Sequence, residues 1–191
     1  MPPAAGSEIL ASMNQLAHLP GPGGSGETWV RPARAEDEGP LLRMLDEAVA
    51  WLVERGQSGQ WGSEPWSQAE KGRRAVGSLV RDGGLHMLEC DGELVGALAV
   101  GDRFEHVQAL DVPELYIRLV LTSRRFSGNK FGDRLIDEAL DLARRQDVTV
   151  VRVDCWAGAP SLVAWYESQG FARSDTFNVD GWIGQVLARS V

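Results

Sequence analysis

The middle of the chain constrains its fold most tightly. Leu115 to Leu121 is a nearly unbroken apolar run, followed by a glycine-bearing turn and then by Leu135, Ile136, Ala139, Leu140 and Ala143 at helical spacing. A β-branched run, Val148 to Cys155, comes next. An apolar strand, a helix and a second strand in this order place helices against a sheet.

The flanks extend the pattern. Thr28 to Pro32 reads as a strand leading through Arg34 to Asp37 into Leu41, Leu42, Leu45 and Val49, whose spacing marks an amphipathic helix. A second short helix is expected over Ser67 to Arg81, after a loop from Gly56 to Trp66 that keeps Trp61 and Trp66 near the surface. Leu85 to Cys90, Asp91-Gly92 and Leu94 to Val100 predict a hairpin, because Asp-Gly tolerates the positive φ angles of a type I′ turn. Ser161 to Gln169 reads as a helix ending at Gly170, and Phe171 to Leu187 as an antiparallel pair around Asp180-Gly181. The order βααββ, βα, βαβ is that of one mixed α/β domain without internal repeats.

At 191 residues the chain suits one domain and an appendage. The appendage is expected at residues 1–27, a flexible tail rich in Pro and Gly in which Ile9 to Leu19 has the spacing of a short helix, and the domain at 28–191. A net charge of −8 argues against nucleic acid and anionic membranes as partners. The longest apolar run, Leu94 to Val100, is too short to span a bilayer, and the N-terminus lacks an export pattern, so the expected location is the cytoplasm. Cys90 and Cys155 show no metal-ligand spacing and are read as buried free thiols; no metal site is expected.

Against this acidic background, Arg118, Arg124, Arg125, Lys130 and Arg134 surround the single acid Asp133. Gly128 and Gly132 lie where a strand ends and a helix begins, so main-chain N–H groups unhindered by Cβ can face an anion at the positive helix end. The same residues also suit an ordinary βα turn with solvated arginines. No Walker-type loop or dinucleotide fingerprint is present.

Two stretches carry a resemblance. LVLTSRRFSGNKFGDRLI (119–136) and DCWAGAPSLVAWYESQGF (154–171) together resemble the acyl-CoA-binding and C-terminal motifs of the GCN5-related N-acetyltransferase (GNAT) family, and Trp29 to Asp37 is similar to its opening strand and helix. The resemblance covers roughly residues 28 to 188. It implies a mixed, mainly antiparallel sheet with a central splayed parallel strand pair, flanked by helices. It also implies acetyl-CoA as co-substrate, a primary amine of a small molecule or peptide as acceptor, and compatibility with a homodimer. The main chain of Val120, Leu121 and Thr122 would meet the pantetheine arm. The pyrophosphate would rest on Ser127, Gly128, Asn129, Lys130, Phe131, Gly132 and Asp133, with Arg125 adding charge. Lys130 stands where the family carries its middle glycine, Ser127 where it carries Arg or Gln, and Ala159 where many members have asparagine. Tyr166 matches the tyrosine that protonates the departing thiolate, and Glu114 opens the strand where some members place a general base. Asp154 is an acceptor ligand or alternative base; His86 and His106 titrate in the right range. The acceptor slot is expected from Gln57, Gln60, Trp61 and Trp66, with Trp182. A non-catalytic acyl-CoA-binding sensor of the same fold is the alternative function, and a partner-binding protein that has lost the cofactor a second.

Overall fold

The computed structural model describes residues 27–56 and 62–191. The expected tail up to residue 26, with the helix proposed inside it, and the loop residues Gln57, Gln60 and Trp61 lie outside the described residues. Strand β1 (Thr28–Pro32) leads through one 3₁₀ turn into helix α1 (Glu38–Glu54), and α2 (Glu70–Arg81) follows the loop. Strands β2 (Leu85–Cys90) and β3 (Glu93–Gly101) form the expected hairpin, with Asp91 and Gly92 at φ 50° and 80°. Then come β4 (Glu114–Thr122), α3 (Phe131–Arg145), β5 (Val150–Trp156), α4 (Pro160–Ser168), β6 (Ala172–Val179) and β7 (Trp182–Ser190).

The seven strands form one sheet in the order β1-β2-β3-β4-β5-β7-β6, antiparallel except for β4 and β5. Helices α1 and α2 cover one face, where Leu45, Val49, Val76 and Leu79 pack on Met87, Ala97 and Leu119. Helices α3 and α4 cover the other, where Leu135, Ile136, Leu162 and Val163 pack on Leu98, Val120 and Val153. Arg31 ties β1 to the start of α1 and to β2, through a bidentate pair with Asp37 at 2.7 and 2.8 Å and a 2.6 Å contact to Glu89.

Two irregularities in β4 shape the molecule. The parallel ladder covers only Glu114–Ile117 against Val150–Val153, so the strands diverge from Arg118 and Asp154 onward. On its other side β4 carries a bulge: Leu119 pairs with Ala99 and Ile117 with Val100, leaving Arg118 as the extra residue. The bulge restores Leu119 and Leu121 to the face that Tyr116 occupies, which simple alternation would not do.

Two expectations change. Trp66 is not near the surface: it is 5% exposed within the α1–α2 core, and Gly72 sits so close that an added Cβ would lie 2.6 Å from its carbonyl oxygen. Closing the α1–α2 hairpin needs a large apolar plug there, and the indole supplies it. Cys155 is buried as expected, but Cys90, at a strand end beside the turn, is only partly so.

Candidate active site

The site forms where β4 and β5 part, and its two sides differ in construction. On one side, Val120, Leu121 and Thr122 continue β4 beyond its ladder with β5 toward α3. A 3₁₀ turn at Arg124–Phe126 then leads to the N-terminus of α3. Thr122, Arg124, Phe126 and the loop from Ser127 to Gly132 line a concavity at that helix end. Gly128 has φ 91°, and Lys130, the N-cap of α3, is left-handed at φ 56°. The conformation explains why relatives can place glycine there: a residue with a Cβ meets steric strain of about 1–2 kcal/mol in this region. The lysine side chain nevertheless reaches solvent, leaving its charge available at the rim.

Asp133 is placed differently from its neighbours. Its carboxylate accepts from Trp165 Nε1 and Gln169 Nε2, both at 3.2 Å, and so joins α3 to α4. Arg125 is exposed at the same turn. Arg124, absent from the expected contacts, packs its guanidinium 3.9 Å over the Trp51 ring, which Arg55 also covers at 4.0 Å. Burial, and secondarily Arg55, depress the pKa of Arg124. The helical period of α1 reveals nothing of this stack, because its partner is more than seventy residues away.

Tyr166 is fully buried on the α4 side, edge-on to Trp165 and Phe171 at 4.7 and 5.8 Å. Burial, with lesser contributions from Cys155 and Asp154, holds its phenol well above the usual tyrosine range, so it keeps its proton. The same burial pushes Cys155 up to about 12, which leaves it a protonated thiol rather than a nucleophile.

On the opposite face stands Asp154, completely buried at the parting of the strands. Tyr116 donates to its Oδ1 at 2.6 Å, while Oδ2 has no hydrogen-bond partner among the described residues. Burial raises its pKa to about 7, against the lowering effects of the Tyr116 hydroxyl and Arg152. Phe104, His106, Phe177 and Trp182 form an aromatic row beside it: His106 stacks on Phe104 at 5.5 Å and meets Phe177 at 4.4 Å, and Phe177 meets Trp182 at 5.6 Å. Phe104 also packs edge-on to Tyr116 at 5.7 Å. Only Gly184 leaves room for the Phe177 ring, since a Cβ there would lie 2.2 Å from it.

Glu114 lies at the opposite end of β4, engaged with Arg152 at 3.0 Å and Arg103 at 3.8 Å. This ion-paired network ends at the Gln108 carbonyl, which accepts from Arg152 at 2.9 Å. His86 is on β2, paired with Pro32 and Leu98, where burial lowers its pKa. The structure therefore brings Tyr166, Asp154 and the α3 turn to one parting of strands and leaves Glu114 and His86 elsewhere. Phe104 and Phe177 went unrecognised in the sequence, where Arg118 reads only as part of the cationic stretch around the turn; the C-terminal hairpin's aromatics hint at Phe177 alone.

A mixed sheet opened at a single parallel pair, with a positive helix end at the mouth, defines an acyl-CoA-type transferase architecture. The acetyltransferase (GNAT) family model matches residues 46–171, and the chain belongs to that family. An uncharacterized N-acetyltransferase of Bacillus subtilis, YesJ, is 25% identical over 148 residues, spanning 73% of this chain and 79% of its own. A GNAT acetyltransferase from Listeria monocytogenes superposes with a TM-score of 0.65 at 22% identity, over 89% of this chain and 98% of its own. PaiA N-acetyltransferase from Thermoplasma acidophilum, solved in complex with coenzyme A, superposes with a TM-score of 0.67 at 15% identity, over 86% and 99%. Among the described residues no helix is long and apolar enough to cross a membrane, and no cluster of His, Cys, Asp and Glu is arranged to hold a metal ion.

Proposed function

We propose that this protein is an acetyl-CoA-dependent N-acetyltransferase that transfers the acetyl group directly to a primary amine. The observation that carries the reading is the end of the β4–β5 ladder at Ile117–Val153, with the glycine turn and helix end at its mouth. Acetyl-CoA would supply the activated thioester. Main-chain groups of Val120 to Thr122 would align its pantetheine arm, and Ser127 to Gly132 with Lys130 and Arg125 would hold its pyrophosphate.

Asp154 is the general base in this reading, in place of Glu114, whose carboxylate is taken by Arg152 and Arg103. A carboxylate with a pKa near 7 can accept the ammonium proton at neutral pH. The amine nitrogen then bonds to the acetyl carbon as the C–S bond breaks. Tyr166, which keeps its proton, delivers it to the departing thiolate sulfur. Asp154 returns the amine proton to water, and Tyr166 is reprotonated, so no covalent enzyme intermediate is needed.

The test is the thermal midpoint of the purified protein with acetyl-CoA, desulfo-CoA or ATP, followed by CoA release over a panel of amines. Ligand at 100 times its dissociation constant adds about 2.7 kcal/mol, a rise of several degrees. A rise with CoA species and turnover with an amine is the expected result. Binding without turnover would make the protein a CoA-binding module, and no binding would overturn the reading.

A further inference from the structure

Arg118 and Asp154 are the first residues of β4 and β5 beyond their last paired positions, Ile117 and Val153. They bear opposite charges and project to the same face of the sheet. Asp154 bonds Tyr116, Tyr116 packs against Phe104, and the Arg118 guanidinium lies 5.1 Å over that same Phe104 ring. Yet the two form no ion pair with each other. Arg118 has no acidic partner within salt-bridge distance among the described residues, and its Nε is buried without a hydrogen-bond partner. Asp154 Oδ2 is buried in the same condition.

Buried polar groups are normally satisfied, and leaving one unpaired costs on the order of 1–3 kcal/mol. Arg152, two residues before Asp154, also leaves its Nε buried without a partner, but its charge is met through Nη1 by Glu114 and by the Gln108 carbonyl, whereas the charge of Arg118 meets no acid among the described residues. Two unsatisfied opposite charges at the parting of the strands are complementary to a molecule that carries both signs itself. Alternation from Tyr116 sets Arg118 on the acceptor face, and the bulge brings Leu119 onto that face directly after it, so the arginine stands at the irregular point of the strand.

We infer that the acceptor is a small zwitterion of the amino-acid class, its ammonium held by Asp154 and its carboxylate by Arg118. Its apolar side chain lies against the row formed by Phe104, Phe177 and Trp182. The inference rests on the acetyltransferase reading above and narrows its acceptor. A guanidinium recognises a carboxylate through directed, charge-assisted hydrogen bonds, so loss of the carboxylate is felt more strongly than a change of side chain. Trp182 adds a further donor, because its Nε1 N–H is also buried without a partner and faces the same row, where it donates to an oxygen of the acceptor.

The experiment compares kcat/KM, by CoA release, for matched pairs that differ only in the carboxylate: L-leucine with 3-methylbutylamine, and L-phenylalanine with 2-phenylethylamine. The amino acid is expected to win at least one pair by tenfold or more, a ratio of about the size of one charge-assisted hydrogen bond. Arg118→Gln should collapse that ratio toward one, and Arg118→Glu should invert it in favour of diamines such as putrescine. Arg118→Lys, which keeps the charge, should retain part of the preference and serves if the other variants fail to fold, as judged by their thermal midpoints. If carboxylate-free amines are acetylated equally well or better by the wild type, or if Arg118→Gln leaves the ratio unchanged, the zwitterion assignment falls while the acetyltransferase reading stands. Absence of both CoA binding and turnover removes both.

Discussion

The two faces of the parted strands teach different lessons. The α3 face is built from one contiguous stretch, Val120 to Asp133, and relies on main-chain groups, a helix end and exposed cations. The α1 face is assembled from Phe104, Tyr116, Arg118, Asp154, Phe177 and Trp182, which come from four strands and a loop, and it relies on side chains that are buried or half-buried. The first kind of site is expected to tolerate substitution of individual side chains, because its donors are main-chain groups. The second does not, because each buried polar atom has few substitutes. Variants on the two faces should therefore fail in different ways.

The largest effect is expected at Asp154. Asp154→Asn should lower kcat/KM by about 10²–10⁴-fold while acetyl-CoA still raises the thermal midpoint. The same variant should be more stable than the wild type at pH 8. An unfolded aspartate releases its proton near pH 4, whereas folded Asp154 holds it to about pH 7, so raising pH across that interval costs the folded wild type stability that the amide does not lose. Tyr116 can still donate to the amide oxygen. A midpoint at pH 8 no higher than wild type would show that this carboxylate is not strained by burial.

Wild-type kcat/KM should also fall as pH drops through about 7, the limb on which Asp154 takes up its proton. Around it, Tyr116 on the sheet and Tyr166 and Cys155 at the α4 side are all held above their usual ranges by burial, and loss of the limb in Asp154→Asn assigns it to Asp154 rather than to His106 in the neighbouring aromatic row. A flat profile between pH 6 and 8 would remove Asp154 as the base.

Next in size is Tyr166→Phe, expected to reduce kcat by roughly 10²-fold with little change in acetyl-CoA affinity, since the hydroxyl acts as the thiolate forms. Turnover at the wild-type rate would return Tyr166 to the role of a packing residue among Trp165 and Phe171.

On the α3 face, Lys130→Glu should raise the acetyl-CoA dissociation constant by about tenfold, as one charge-assisted contact to the pyrophosphate is replaced by repulsion. Calorimetric titration would read this directly, and an unchanged constant would place the lysine in solvent. The smallest effect is that of Lys130→Gly, which relieves the positive φ at the N-cap of α3 and should stabilise the protein by about 0.5–1 kcal/mol. Its thermal midpoint, compared with that of Lys130→Ala, separates backbone relief from loss of charge.

The contrast between the faces also explains what could be read in advance. The hairpin at Asp91-Gly92, the strand–turn–helix from Leu115 to Ala143 and the helix ending at Gly170 were all legible, because local periodicity and turn chemistry act over a few residues. The glycine turn was legible for the same reason. Which of the two candidate bases, Glu114 or Asp154, is held in ion pairs was not. Glu114 has the right chemistry and lies on the right strand, but its arginine partners, Arg103 and Arg152, come from distant parts of the chain, so their commitment to it is visible only in three dimensions. Trp66 followed the same course, its loop setting suggesting exposure while the α1–α2 packing buried it.

What the sequence determined by itself was the set of elements and the anion-ready turn, since hydrophobic spacing, Asp-Gly turns and glycine at a helix start are nearest-neighbour physics. Only the tertiary structure decided where β4 and β5 part, where the bulge falls beside Arg118, and that Asp154 stands buried with one oxygen unsatisfied. Those properties depend on strand register and on desolvation by residues far apart in the chain, and no local pattern encodes either.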